Sequence, residues 1–230
     1  MIKQPALIMI FGMVLLVTMG ISSLIPMLPA LAANFGIVLE DSWRIIAAFA
    51  LPGLLLTPFV GVLADRYGRK CVLIPALLLF AIGGVACAFA ETYRELLLFR
   101  ILQGCGSAPL GLLYPTIIAD TWEGEERVKS MSYASIALGI GTAVSPALGG
   151  ALGMISWRLP FLMPLLALPV LALALRVPLL SPGRHISFRQ YSIGLLRTVK
   201  ARQTLVLLAL PLLAFTMLPG PVRPCFPMLA

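Results

Sequence analysis

Residues 61–73 read GVLADRYGRKCVL, and this stretch separates two long uncharged runs. Gly61 has no side chain and is predicted to end a helix where a neighbouring helix approaches closely, while Gly68 permits a tight reversal. Asp65 is a carboxylate at the edge of an apolar run, which is costly unless a cation or the positive end of a helix lies nearby. The other charges of the stretch are basic: Arg66, Arg69 and Lys70. A generic basic turn would explain these cations, but it would explain neither the aspartate nor the glycines.

The composition around this stretch excludes a soluble protein. Of the 230 residues, 60% are hydrophobic and 11% are charged, and the mean hydropathy is +1.01. A soluble domain has about 45–50% apolar and about 25% charged residues. Nine acidic and 17 basic residues are therefore too few to cover a globule of 24.7 kDa, and the chain is predicted to lie in a lipid bilayer.

The uncharged runs give the number of membrane spans, since crossing the hydrocarbon takes about 17–25 helical residues. Seven runs reach this length: 4–39, 45–64, 71–90, 101–119, 130–157, 159–175 and 203–222. Transmembrane β-strands are excluded because they alternate apolar and polar residues over only about ten positions. The sequence predicts an all-α membrane protein with six helices and a partial seventh. The six are expected at about 6–28, 44–64, 71–90, 95–119, 129–155 and 159–177.

The sequence also predicts where the first span ends and where the seventh apolar stretch begins. Pro26 and Pro29 are predicted to close the first span, and Glu40 and Asp41 to lie in the loop that follows it. The seventh apolar stretch begins at Gln203.

The basic residues predict the orientation of the chain. With a cytoplasmic N-terminus, twelve Lys and Arg residues fall on the cytoplasmic side and four outside, while Arg100 lies within a span. The excess follows the positive-inside rule. The net charge of +8 therefore belongs to loops that face anionic lipid and indicates no nucleic-acid partner.

The sequence divides into three predicted segments. Residues 1–177 form a six-helix bundle. Residues 178–202 are a basic cytoplasmic connection that is either an amphipathic helix on the membrane surface or a flexible linker. Residues 203–230 form a seventh span with an atypical end, because four prolines follow one another there: Pro219, Pro221, Pro224 and Pro227.

A second pattern lies in the fourth span, where residues 100–106 read RILQGCG. A guanidinium several residues inside a span is costly, so Arg100 is expected to face a polar cavity or a partner. Alternatively, its long side chain reaches back to the outer interface. Gln103 and Gly104 complete the candidate site.

The third pattern lies in the fifth span, where residues 139–150 read GIGTAVSPALGG. Its small residues predict a face on which two helices nearly touch, and Pro146 removes one backbone donor from the helix. The other members of the pattern are Gly139, Gly141, Ser145, Gly149 and Gly150. The same pattern also suits an ordinary packing seam.

Together the three patterns resemble those of the major facilitator superfamily. Residues 61–73 match its loop motif G-x-L-A-D-R-x-G-R-K-x-x-L at every defined position. The R-x-x-Q-G-x-G run from Arg100 is similar to a motif in the fourth helix of that family, and the end of the third pattern resembles the signature of its drug:proton antiporters. Ser145 departs from this signature, which usually has glycine before the proline. The resemblance covers residues 6 to about 215, the N-terminal half of a typical family member.

The resemblance implies a role for each pattern. The 61–73 loop would gate the conformational change, with Asp65 and its neighbouring bases contacting the other half of the transporter. Arg100 would take part in proton transfer or line the substrate cavity. An acidic residue inside the first or fourth helix, which many family members use to take up the coupling proton, is missing from this sequence.

The function expected from the resemblance is export of drug-like or lipophilic small molecules by alternating access, coupled to protons. The alternatives are a metabolite or sugar exporter of the same superfamily and an inactive truncated or frameshifted fragment. The expected partners are the lipid bilayer, a small-molecule substrate, and either a missing C-terminal half or a second copy of the chain. The expected location is the plasma membrane, or the inner membrane of a Gram-negative bacterium.

Enzymatic and cofactor chemistry are not expected. The sequence has no nucleotide-binding glycine loop and no cluster of His and Cys ligands. The cysteines have no CxxC spacing and are predicted to be small packing residues. The proton gradient is therefore the expected source of energy, with no cofactor and no metal.

Overall fold

A computed structural model describes residues 3–178. Beyond Pro178, the predicted connection 178–202 and the predicted seventh span 203–230 lie outside the described residues.

The described chain contains seven α-helices and no β-strand. The α-helices are α1 Lys3–Ser22, α2 Leu28–Phe35, α3 Leu39–Tyr67, α4 Arg69–Ala88, α5 Tyr93–Thr121, α6 Gly124–Ile155 and α7 Ala167–Arg176. Two 3₁₀ helices, Ile25–Met27 and Leu159–Leu166, join α1 to α2 and lead into α7. By length and composition the described residues form six candidate membrane spans, with α1 and α2 sharing the first. The predicted six-helix membrane bundle is confirmed.

The first span does not end at its prolines, as the sequence had suggested. Pro26 lies in the first turn of its 3₁₀ helix and Pro29 in the first turn of α2, where a missing N–H group breaks no helical hydrogen bond. The span continues to Gly36, whose φ of 62° ends α2 in the left-handed conformation. The expected loop around Glu40 and Asp41 is instead the first turn of α3.

The turns are shorter than predicted. Gly68 alone separates α3 from α4 and has a φ of 91°, which a residue with a side chain rarely adopts. Gly61, predicted to end the second span, lies within α3 six residues before its end. At the other end of the bundle, Thr92 and Glu95 form a capping box that starts α5. These two ends are called the Gly68 end and the Thr92 end below.

Most of the buried core residues belong to α1, α4 and α5. The largest fully buried side chains of the core include Met9, Met13, Leu73, Leu77 and Phe80. Because lipid tails are as apolar as these side chains, the helices are held together by close van der Waals packing rather than by removal of apolar surface from water. Cys87 is buried as predicted, whereas Cys71 is exposed.

The small-residue face of α6 packs against α1 within the bundle. A Cβ atom added at Gly141 would overlap the side chain of Thr18, and one at Gly149 would overlap the backbone carbonyl of Ser23. Ser145 lies one turn from each and is 1% exposed. The partner of this face is therefore α1 of the same bundle rather than a helix of a second half. Gly139 is not part of the face, since a Cβ there would meet nothing within 4 Å.

Large apolar side chains remain exposed on α3 and α6. Leu54 and Phe59 of α3 are 78% and 53% exposed, and Met154 and Ile155 of α6 are 90% and 77% exposed. These surfaces lie within candidate membrane spans, so lipid or another membrane helix is the environment that suits them.

The substitution Gly149→Ala tests the contact between α1 and α6. The added methyl group would force the helices apart, so we expect the free energy of unfolding to fall by about 1–3 kcal/mol. Unfolding of the purified protein in detergent, followed by tryptophan fluorescence, gives the value. Gly139→Ala is the matched control because its methyl group has open space. Equal destabilisation by the two substitutions would contradict the contact.

Candidate functional site

Arg69 is the centre of a charged cluster at the Gly68 end. It is 8% exposed and forms ion pairs with two carboxylates. Its Nη2 atom lies 3.7 Å from Oδ1 of Asp65 in α3, and its Nε atom contacts Oδ2 of Asp120 in α5. The first residue of α4 is therefore bound to both neighbouring helices by charge.

Lys70 extends this cluster to the end of α7, in the sixth span. Its Nζ atom donates hydrogen bonds to the backbone carbonyl of Leu175, at 2.6 Å, and to that of Val177, at 3.5 Å. The last carbonyls of a helix lack helical donors and carry the negative end of the helix dipole, so a lysine stabilises them. Arg66 instead lies over the ring of Tyr67, with 5.4 Å between its Cζ atom and the ring centroid.

Sequence reasoning did not identify Asp120 as part of this site. Its position could have indicated that it needs a cation. Asp120 lies in the last turn of α5, where a carboxylate faces the negative end of the helix dipole. Which cation it would find depends on tertiary structure. The cluster thus joins α3, α4, α5 and the end of α7, all within one bundle.

Arg100 lies inside the bundle and does not reach back to the interface. It is 1% exposed, and its Nη1 atom donates a hydrogen bond of 2.7 Å to Oε1 of Gln103. Its Cζ atom lies 5.1 Å from the ring centroid of Phe49 and 5.3 Å from that of Phe161. Two aromatic faces within about 6 Å of a guanidinium attract its charge. Between the two alternatives left open by the sequence, the structure favours the buried position.

The glycines of this pattern allow α5 to approach two helices at once. A Cβ atom at Gly104 would overlap the backbone carbonyl of Phe49 in α3, and one at Gly106 would overlap the backbone of Phe80 in α4. On α4, a Cβ at Gly83 would lie only 2.6 Å from the backbone nitrogen of Gln103. These close approaches fix the backbone that carries Arg100 and Gln103.

The third pattern borders an apolar cavity of about 350 Å³. The cavity lies between α1, α6 and the sixth span. Its lining residues include Leu16, Met19, Ile140, Val144 and Leu148. No charged side chain lines it, so it suits an uncharged, apolar group. Ser145 lines the cavity, whereas Pro146 and Gly150 do not.

The three sequence patterns do not form one site. Asp120 and Arg100 lie 20 positions apart on α5, which corresponds to about 30 Å along a helix. The Arg69 cluster and the Arg100 site therefore lie towards opposite ends of the bundle. Within residues 3–178, no group of three or more His, Cys, Asp or Glu side chains could hold a metal ion.

Comparison with known proteins identifies the family. The sequence model of the Major Facilitator Superfamily matches residues 10–224. The chain belongs to this superfamily. It corresponds to the N-terminal half, as the three sequence patterns predicted.

Curated relatives include an exporter and a quinolone resistance protein. The chain is 34% identical over 154 residues to the bacillibactin exporter of Bacillus subtilis and 30% identical over 151 residues to the quinolone resistance protein NorA of Staphylococcus aureus. Each match covers 64% of this chain and 38% of the relative. The matched region thus covers well under half of the length of these relatives.

Solved structures of the same superfamily share the fold. The proton:xylose symporter XylE superimposes with a TM-score of 0.68 at 20% identity, covering 86% of this chain and 50% of the symporter. The human organic anion transporter MFSD10 superimposes with a TM-score of 0.66 at 19% identity, covering 83% of this chain and 52% of the transporter. At this identity the likeness concerns the fold alone.

The substitution Asp120→Asn tests whether the Arg69 cluster stabilises the bundle. The amide keeps the shape but removes the charge that faces Arg69, and we expect the free energy of unfolding to fall by about 1–3 kcal/mol. Glu125→Gln is the control, since the ion pair of Glu125 with Lys129 spans 3.7 Å between exposed side chains and should contribute almost nothing. Denaturant-induced unfolding in detergent measures both variants, and unchanged stability of Asp120→Asn would contradict the role of the cluster.

Proposed function

We propose that the chain is half of a transporter that exports drug-like or lipophilic small molecules by alternating access, driven by the proton gradient. The observation that carries the proposal is the Arg69 cluster, which connects four helices at one end of a bundle. Alternating access requires each bundle to move as one body while the contacts between bundles change. The curated relatives support export as the direction of transport.

Asp65 is the member of the cluster best suited to change partners. Its side chain is 38% exposed, and its distance of 3.7 Å to Arg69 is longer than that of a hydrogen-bonded ion pair. Arg69 is almost buried and keeps a second carboxylate, Asp120. In the proposed gate Asp65 therefore contacts a second bundle in one conformation and Arg69 in the other, while Gly61, Arg66, Gly68 and Lys70 position the loop.

A second bundle is part of this proposal. The exposed apolar faces of α3 and α6 would line its interface, and the substrate would bind between the bundles. The second bundle is either a C-terminal half or a second copy of the chain. The third pattern, from Gly139 to Gly150, would support this movement by fixing α6 to α1 rather than by binding the substrate.

Proton coupling would need a carboxylate from a C-terminal half, because a second copy of this chain would bring none into the membrane. All nine acidic residues of the sequence lie at helix ends or in turns, within the described residues. The Arg100 group, with Gln103 and Gly104, would act electrostatically, because a nearby cation favours the charged form of an approaching carboxylate and so promotes release of its proton.

The proposed orientation places the N-terminus, the Gly68 end and the connection 178–202 in the cytoplasm, in a plasma membrane or bacterial inner membrane. The excess of basic residues on that side supports it. Single cysteines introduced at Glu123 and Ser156 of a cysteine-free chain should be labelled from opposite sides of the membrane, Glu123 from the cytoplasm. Labelling of both from one side would refute the topology.

Dye efflux tests the function. Cells that lack their own exporters would express the chain alone or with the C-terminal half of an exporter of the same superfamily, with and without a protonophore. We expect efflux only where a second bundle is present, as the added half or a crosslinkable second copy. Sensitivity to the protonophore is expected only with the added half, because a second copy of the chain supplies no acidic residue inside a span. Efflux by a demonstrably monomeric chain would refute the two-bundle arrangement, and no efflux in any combination would favour the inactive fragment.

In an assembly that transports, Asp65→Asn should slow efflux by roughly tenfold, because the gate loses a charge whose coupling free energy is of the order of 1–3 kcal/mol. The matched control is Asp41→Asn on the same helix. Asp41 pairs with Arg44 at 3.0 Å, but it lies at the Thr92 end. We expect the control to transport like the wild type and both variants to insert normally. Equal activity of Asp65→Asn and the wild type would contradict the gating role.

A further inference from the structure

Within residues 3–178, no acidic side chain forms an ion pair with Arg100. Residues 179–230 contain no Asp or Glu, so all nine carboxylates belong to the described part. The acidic residue nearest in sequence, Glu95, accepts hydrogen bonds from the backbone N–H groups of Glu91 and Thr92 in the capping box at the start of α5. A buried cation without an opposite charge is unfavourable in a membrane interior, where the dielectric constant is low.

The hydrogen-bonding capacity of Arg100 is also incomplete. Gln103 accepts from Nη1, but Nε and Nη2 are buried and have no acceptor among the described residues. The rings of Phe49 and Phe161 lie over the guanidinium and accept no conventional hydrogen bond along its edge. Buried donors of this kind normally have a partner.

A small cavity borders the side chain of Arg100. Its volume is about 10 Å³, and its lining includes Met19, Ser23, Arg100, Gln103 and Pro160. A cavity of this size holds about one water-sized group. The hydroxyl of Ser23 donates a hydrogen bond of 2.5 Å to the carbonyl of Met19, so it is occupied as a donor.

We propose that this cavity binds one small monovalent anion of halide size, held by Nε and Nη2 of Arg100. A water molecule would satisfy the two donors but would leave the charge unpaired, whereas an anion does both. The cavity is too small for the carboxylate of an organic compound. A chloride ion is slightly larger than water, and the flexible Met19 side chain can provide the difference.

Binding of chloride to the purified chain in nanodiscs tests the proposal. Radioactive chloride measures binding directly, and thermal unfolding in potassium chloride against potassium gluconate, at constant ionic strength, measures the linked stabilisation. We expect saturable binding of about one chloride per chain and a melting temperature that rises with chloride. Neither readout requires transport, so failure of the proposed export function would leave this result intact.

Two variants and one control locate the site. Arg100→Gln should bind chloride roughly ten- to a hundredfold more weakly, whereas Arg94→Gln removes an exposed arginine of the same helix and should bind like the wild type. If Arg100→Gln does not fold, Ser23→Val keeps the guanidinium but fills the cavity, and it should also lose binding.

The proposal is overturned by any of four results. The first is that the wild type shows no saturable chloride binding, which would leave water as the occupant. The second is that Arg100→Gln binds chloride like the wild type, and the third is that a folded Ser23→Val variant retains full binding. A melting temperature that rises equally with chloride in the wild type and in Arg100→Gln would show a general salt effect and would likewise overturn it.

Discussion

The absence of hydrogen-bonding partners in hydrocarbon is the constraint on which the whole structure depends. Each backbone N–H and C=O group within a span must find its partner in the protein, and this requirement favours continuous helices. Two of the prolines lie where their missing donor costs little. Pro26 and Pro29 lie in the first turns of helical segments, so the first span passes both and reaches Gly36.

The same constraint explains why glycine and serine occupy the contacts between helices. Without a hydrophobic driving force, helices associate through backbone proximity and van der Waals contact. Gly141 and Gly149 bring α6 against α1, while Gly104 and Gly106 bring α5 against α3 and α4. One set of close contacts holds the bundle together, and the other fixes the backbone around Arg100. Packing and site geometry therefore rest on the same residue type.

Two arginines illustrate two ways to place a cation in such a bundle. Arg69 lies at the Gly68 end, where Asp65 and Asp120 supply opposite charge. Arg100 lies deeper and has an amide and two aromatic rings in place of a carboxylate. The first arrangement links helices by charge at a surface where charges can change partners. The second keeps a positive potential within the bundle, where an anion or a proton-carrying group would respond to it.

The amino-acid sequence by itself determined the fold class, the six spans within residues 3–178 and the family, because apolar runs, turn glycines and charges at span ends are local properties of the chain. It also marked Asp65 and Arg100 as residues that need partners. Only the tertiary structure decided which distant residues interact. Arg69 pairs with Asp120, which lies 51 positions away, and Arg100 lies over Phe161, which is 61 positions away. It also decided that Gly61 lies within a helix, that Gly139 lies off the packed face, and that the face meets α1. Side-chain spacing gives the periodicity of a helix face, but which helix that face meets depends on how all six spans pack together.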